Sequence, residues 1–472
     1  MKNKGFTLIE LLAVIVILAI IALIASPTIL NIIETTKKKA AVTSANGYAE
    51  ALETQNAMAQ LDEENYKEYS DGEYDVSQIT LNNIKGTKPT SGNVVLKNGS
   101  VAVGTYLCID NYKVVYSDKG FDATDEKCEA TSKNYESIIM LDVARRYYTV
   151  DEIKKYIDVL SVNKNSTLQL HFTDNENVGI ESKYLDQTVA NATNVNGVYT
   201  NPNVGENGRK FLSFEQVKEI ITYAKSKNVR FVPEIDVPAH MNGFFDLAVK
   251  KFGLEYVTRI SPTYGTDSDI GNLDIGYELE NEEAKDFVTQ IYNEYTTFFK
   301  EQGCEYFHIG FDEYTRRIDE KPAYMNTLYK DLNEKGFKVR MWSDGITKTN
   351  ASSINKNIEI MYWSYRSGDE YATVPDLQKL GFKIVNANSY YLFFVPSSTS
   401  TTEESFNKSV NDIKNIWSLE EWKYNYDTTL ESKENMLGAM ITVWGEDSEG
   451  ISNDVILKQT KAMYDAMYSK LK

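Results

Sequence analysis

The sequence predicts an α/β protein: a closed (β/α)8 TIM barrel, preceded by a long N-terminal helix and a small α+β head. Three observations predict it. Short apolar runs alternate with longer helical stretches through the last three-quarters of the chain, which argues for a parallel sheet. Eight such runs occur, the number that closes a barrel. Ahead of them stand a continuous apolar stretch and a region of short strand-like pieces.

Residues 1–5, with Lys2 and Lys4, form a short leader. From 6 to 25 every residue except Thr7 and Glu10 is apolar. A helix of that length reaches about 30 Å, enough to span a bilayer, and the lysines keep its start in the cytoplasm. Glu10 sits inside the stretch, where a charge costs roughly 2.5–3.5 kcal/mol and is expected to have a partner. Helical patterning continues past Pro27, with Ile29, Ile32, Ile33, Ala40 and Ala41 apolar, so 6–58 reads as one long helix. Residues 59–130 carry strand-like pieces at 93–96, 100–108 and 113–116, expected to form a small antiparallel sheet. Cys108 and Cys128 are a candidate disulfide, and Cys304 stands alone before an apolar strand. Two thiols do not fix the redox compartment.

A polar joint at 129–134 leads to the barrel, 134–472. Strands are expected near 138–142, 167–171, 230–234, 306–310, 338–341, 359–362, 383–386 and 438–444. Helices are expected at 150–160, 213–225, 281–300, 323–335 and 374–380, with a last one at 455–471 closing the ring. Ser213 and Gln216 form a capping box at the start of theirs.

The 472 residues allow about two to three domains. With 42% hydrophobic residues and 32 Tyr, they can fill a large core and still expose aromatic surface. A net charge of −18 argues against nucleic acid, which needs a basic face. It fits a soluble extracellular protein or a neutral or cationic ligand; acidity that only aids solubility fits as well. No metal-ligand cluster or Gly-rich phosphate loop stands out, so no metal or cofactor is expected.

In a barrel of this kind the active site lies at the C-terminal strand ends. The residues there are Arg145, His171 with Asp174, Glu234 with Asp236 and His240, Asp312 with Glu313, Trp342 with Asp344, Trp363, Tyr391, and Trp444 with Glu446. Flat indole faces suit the apolar faces of sugar rings, and carboxylates and Arg suit sugar hydroxyls. Asp312 and Glu313 are adjacent acids at a strand end. In separate environments one can donate a proton while the other stays ionised, the division of labour that glycoside cleavage needs. An Asp-Glu pair alone is more often a solvated surface pair; the polar or aromatic group at every strand end argues for the catalytic alternative.

Two resemblances follow. Gly5-Phe6-Thr7-Leu8-Ile9-Glu10-Leu11-Leu12 resembles the type IV prepilin leader, and Pro27 falls where pilin helices carry a kinking proline. That resemblance implies cleavage after Gly5 by a prepilin peptidase, methylation of Phe6, and a contact between Glu10 and a neighbouring pilin subunit's amino terminus. It implies a precursor held in the cell membrane by its N-terminal helix, then a cell-surface or pilus protein, with a pilin-like head at 59–130. The pieces Leu141-Asp142-Val143-Ala144-Arg145, His171-Phe172-Thr173-Asp174, His308-Ile309-Gly310-Phe311-Asp312-Glu313, Met341-Trp342-Ser343-Asp344-Gly345, Tyr362-Trp363-Ser364-Tyr365 and Val443-Trp444-Gly445-Glu446-Asp447 resemble glycoside hydrolase family 20, the β-N-acetylhexosaminidases.

The second resemblance implies a retaining, substrate-assisted hydrolysis of terminal β-linked N-acetylglucosamine without a cofactor. Poly-β-1,6-N-acetylglucosamine of a biofilm matrix is one candidate glycan. Glu313 would be the acid and then the base, Asp312 would hold the 2-acetamido group, and Tyr391 would donate to its oxygen. Trp342, Trp363 and Trp444 would wall the ring; Arg145 and Glu446 would grip the outer hydroxyls; Asp174, His240 and His171 would support the acids. Two positions depart from the family pattern: Phe311 stands where a small residue is usual, and Phe393 where a polar one is common. The alternative is a pilus-borne glycan-binding adhesin, lectin-like, that grips the sugar without turnover.

Overall fold

The computed structural model describes residues 8–62, 66–81, 84–128, 134–265, 271–273, 281–314, 320–363, 370–423, 427–429 and 433–472, with backbone alone for 8–33, 127, 421, 423 and 427–429. The chain divides into two compact units, 1–133 and 134–472.

The second unit is the barrel. Its strands are β1 (Glu136–Asp142), β2 (Ser166–His171), β3 (Arg230–Val237), β4 (Tyr306–Gly310), β5 (Lys338–Trp342), β6 (Glu359–Tyr362), β7 (Ile384–Asn386) and β8 (Met436–Val443). Each pairs in parallel with the next, and β8 pairs with both β7 and β1, so the ring is closed as the sequence predicts. Side chains alternate across it. On β1, Ile138 and Met140 point to a small inner cluster with Trp342, Met361, Val385 and Met440, while Ile139 and Leu141 join the outer layer under the helices. Burial on both faces is why these strands read as continuous apolar runs.

Helix Val150–Ser161 shows how the outer layer is made. Thr149 and Glu152 form a capping box at its start. Ile153, Tyr156, Ile157 and Leu160 then recur at helical spacing and are buried. Each such side chain contributes about 1.5–3 kcal/mol. Helix Phe214–Ser226 starts on the predicted Ser213–Gln216 box. The helices Asn242–Phe252, Leu254–Ile260 and Glu403–Asn415 were not expected; they lie in long connections at strand ends.

At the strand starts, opposite the predicted site, Arg340 is buried between Glu136 (2.6 Å) and Glu359 (2.9 Å), with Arg230 2.8 Å from Glu136. Thr167 also donates to Glu136, and the Tyr306 ring lies 4.2 Å from the Arg340 guanidinium. Burial opposes the Glu136 charge, but the two arginines outweigh it and hold its carboxyl at about 2.

The first unit is built on helix Leu8–Ala59, which runs through Pro27. Ala41, Ala45, Tyr48 and Leu52 are buried against an antiparallel sheet containing Ser91–Lys97, Tyr106–Ile109 and Tyr112–Ser117. The piece expected at 100–108 is two strands, Ser100–Val101 and Tyr106–Ile109, because a turn intervenes with Gly104 at φ 105°. Cys108 and Cys128 are joined in a disulfide. Gly5 and Phe6 lie outside the described residues, as do the Glu10 side chain and the joint at 129–133. Among the described residues no helix is long and apolar enough to cross a membrane.

Candidate active site

The end of β1 sets one edge of the site. Asp142 Oδ1 accepts the N–H groups of Ala144 (3.1 Å) and Arg145 (2.9 Å) and so turns the chain back. Its Oδ2 accepts from Arg145 (3.0 Å) and from the Gly445 N–H (3.0 Å), tying the exits of β1 and β8 together. The Arg145 guanidinium also meets Asp174 (2.8 Å), Glu176 (3.1 Å) and Glu446 (3.6 Å), and lies 5.5 Å from the Trp444 ring.

Asp174, just past β2, gathers three cationic groups: Arg145, His171 Nε2 (2.8 Å) and His240 Nδ1 (2.9 Å). Burial opposes its charge, yet His240 and His171 outweigh burial and hold the carboxyl well below its usual range. Reciprocally, both histidines are buried, but their carboxylate partners raise them well above the ordinary value. His171 Nδ1 faces Glu234 at 3.0 Å, and Glu234 accepts from Trp342 Nε1 (2.7 Å) and Gln169 (2.8 Å). Burial pushes His308 down to about 4, and its Nδ1 accepts the Gly310 N–H at 3.1 Å. At neutral pH the ionic partner of Glu234 is therefore His171. Ligand atoms of His171, Glu234 and Asp236 lie within 4.8 Å of one another. The two His171 nitrogens face Asp174 and Glu234, and Asp236 Oδ1 accepts backbone N–H groups.

The loop after β4 presents the adjacent acids. Gly310, Phe311 and Glu313 have φ of 75°, 73° and 46°. A Cβ at Gly310 would overlap the Asp236 carboxylate, so only glycine fits there. Asp236 Oδ1 accepts the Phe311 N–H (2.8 Å) and the Asp312 N–H (3.4 Å), holding the turn. Phe311 is fully buried in the outer layer, 5.7 Å from Tyr324. Its ring therefore fills space away from the acids, so the bulky residue noted at this position does not displace them by entering the cavity. Burial raises Asp312 well above the carboxylate range, with Asp344 and Asp236 adding repulsion. Glu313 is partly exposed and faces His240 Nε2 at 3.6 Å.

Aromatic rings close the other side. Trp342 ends β5, Trp363 follows β6 and Trp444 follows β8. Trp342 and Trp444 are 5.9 Å apart, and Phe393 lies 5.7 Å from Trp363 and 5.8 Å from Trp444. Trp363 Nε1 donates to Asp344 at 2.6 Å. The acids, the Arg145–Glu446 edge and these rings enclose a cavity of about 160 Å³.

Eight of the predicted catalytic and sugar-binding residues line it: Arg145, His240, Asp312, Glu313, Trp342, Trp363, Trp444 and Glu446. Asp174 sits behind the wall as a hub. Tyr391 is buried in the segment leading to Phe393, edge-on to Tyr390 at 4.8 Å, and is not among the lining residues. Asp142, Gln169 and Glu176 were not singled out for roles. Asp142 could have been, since it ends a strand as the other site acids do.

The profile described as glycosyl hydrolase family 20, catalytic domain, matches residues 138–323 and 315–457, and a prokaryotic N-terminal methylation motif matches 1–26. Beta-hexosaminidase A of Caenorhabditis elegans is 22% identical over 336 residues, covering 65% of this chain and 55% of that protein. The chain spans about half the length of the curated relatives first matched. The crystal structure of Dispersin B is similar with a TM-score of 0.65 and 34% identity, over 71% of this chain and 98% of that one. A catalytic module of the pneumococcal exo-β-D-N-acetylglucosaminidase StrH shares the fold, with a TM-score of 0.57 at 20% identity over 71% and 84% of the two chains.

Proposed function

The chain belongs to glycosyl hydrolase family 20, and on that premise we propose that it is an exo-β-N-acetylhexosaminidase displayed on the cell surface or a type IV pilus. The observation that carries the reading is the convergence of Asp312, Glu313 and three indoles on one cavity. Glu313 protonates the glycosidic oxygen and then activates water; its partial exposure and the neighbouring His240 suit a group that exchanges protons. Asp312 receives the 2-acetamido N–H, so that the substrate's own carbonyl oxygen attacks the anomeric carbon. Burial favours its neutral form; the positive charge that develops on the substrate favours the anion in the transition state. Trp342, Trp363 and Trp444 wall the sugar, Arg145 and Glu446 hold its outer hydroxyls, and Tyr391 reaches the acetamido oxygen after a local adjustment. Asp174 with His171 and His240 orients these groups.

The N-terminal motif supports membrane processing and pilin partners. In this reading residues 1–5 are removed, 6–58 is the assembly helix, 59–130 the head and 134–472 the catalytic barrel. A barrel of that size suits a minor or tip subunit. Poly-β-1,6-N-acetylglucosamine is the glycan we propose first.

Turnover of 4-nitrophenyl β-N-acetylglucosaminide by the full-length chain in detergent tests this reading. The expected result is hydrolysis with retention, inhibition by a thiazoline mimic of the intermediate, and no cleavage of the plain β-glucoside. Sugar binding without turnover would make the protein an adhesin instead.

A further inference from the structure

The cavity has two unlike walls. Arg145 and Glu446 form one, charged and 3.6 Å apart. Phe393 and Val395 form part of the other; two residues apart, they point the same way from one extended segment. Phe393 is fixed there. Its strand, Phe393–Phe394, pairs with β8 at Thr442, and its ring stacks on Trp363 with an interplanar angle of 21°. Neither Phe393 nor Val395 carries a polar side-chain atom. The one polar atom of the Trp363 side chain is committed to Asp344. Among the described lining residues, the side chains of this wall therefore offer a sugar hydroxyl only carbon.

We propose that Phe393 sets the sugar specificity of the cavity: the ring position facing it is read as carbon, so that one deoxy form of an N-acetylhexosaminide is accepted as well as the parent sugar. The inference rests on the proposed sugar-binding role of this cavity. It follows from an asymmetry in recognition. A site built to bond a hydroxyl rejects the analogue that lacks it, because its own polar groups are left unpaired; an apolar wall neither requires the hydroxyl nor strongly excludes it. Arg145 and Glu446 belong to the first kind of wall and Phe393 to the second. The substrate class is thus a terminal β-N-acetylhexosaminide in which the one outer hydroxyl that faces Phe393 is dispensable.

The test uses the full-length chain in detergent with 4-nitrophenyl β-N-acetylglucosaminide and its 3-, 4- and 6-deoxy analogues. Affinities of the corresponding free sugars, read by tryptophan fluorescence, are measured beside turnover. One analogue is expected to keep kcat/KM and affinity within about threefold of the parent, while the others fall by more than about tenfold. Phe393→Tyr, which preserves the stack, and Val395→Thr, which is nearly isosteric, should each move the ratio toward the parent by about fivefold. Loss of more than tenfold for all three analogues overturns the proposal, as does an unchanged ratio in both variants. If the parent binds but is not hydrolysed, the affinities still decide this question, and only the hydrolase reading fails.

Discussion

The Nε2 atom of His240 faces the Glu313 carboxylate across 3.6 Å. The opposite nitrogen is held by Asp174 at 2.9 Å, so the ring cannot turn away from the acid. Glu313 is thereby placed beside a cation at the cavity wall, with enough exposure to exchange its proton. Glu313→Gln keeps the shape but cannot donate. It is expected to lower kcat by about 10²–10⁴ on a substrate with a poor leaving group while sugar affinity survives. A loss smaller than tenfold in steady-state kinetics would remove Glu313 from the role of acid.

Asp174 predicts a pH dependence with a definite sign. The raised histidines His171 and His240 contribute stability that is complete below about pH 6.5 and is lost as pH rises through their higher folded values. Asp174 is lowered, so its own contribution is complete above about pH 3.9 and is lost as pH falls. Asp174→Asn should cost about 3–5 kcal/mol at neutral pH, because Arg145 and two imidazoles lose their shared anion. The gap in Tm between wild type and variant should then narrow as pH is raised through the folded values of the two histidines. A gap that widens as pH rises above neutral would have the opposite sign to that of charged imidazoles paired with Asp174, and would overturn this assignment.

Phe311 sets packing against backbone strain. Its ring is fully buried against Tyr324, but its φ of 73° is unfavourable for any residue with a Cβ. Removing the ring is expected to cost about 3–5 kcal/mol. The order of the two smallest replacements should be reversed from that seen at ordinary positions. Phe311→Gly relieves the left-handed strain and Phe311→Ala does not, so Gly should be the more stable by about 1 kcal/mol. Urea midpoints of the two variants measure this directly. An Ala variant at least as stable as the Gly variant would mean that the loop relaxes out of this conformation.

These cases mark what could be read from the chain and what could not. The alternation of Ile138 and Met140 with Ile139 and Leu141 is local, and with seven similar runs it announces a closed parallel sheet. Asp312-Glu313 and the three indoles were legible because each sits at the end of such a run or within three residues beyond it. The helix Asn242–Phe252 was hidden because its sequence sits inside a connection rich in loop residues. Asp142 passed as a strand end because its work is to join β1 to β8, a contact between residues about three hundred apart. The left-handed turn at Phe311 runs against the residue's own preference and is imposed by Asp236, which no spacing in the chain reveals. The near-parallel stack of Phe393 on Trp363 likewise joins the exit of β6 to the short strand beside β8, a contact that no local pattern in the chain announces.

The N-terminal segment carries a prediction on assembly. Glu10 stands in an apolar stretch where an unpaired carboxylate is unfavourable by a few kcal/mol, so it should persist only where it meets a positive group. The proposed partner is the amino group of Phe6 on an adjacent subunit, freed by cleavage after Gly5. The barrel has its own compact core within 134–472 and does not need this contact. Glu10→Ala should therefore leave hexosaminidase activity unchanged and reduce recovery of the protein in sheared pili. Blocking cleavage with Gly5→Leu should hold the protein in the membrane fraction. Mass spectrometry of sheared surface material reads both outcomes. A mature chain that begins at Met1, or a protein absent from sheared pili yet active in membranes, would make it a membrane-anchored hydrolase rather than a pilus subunit.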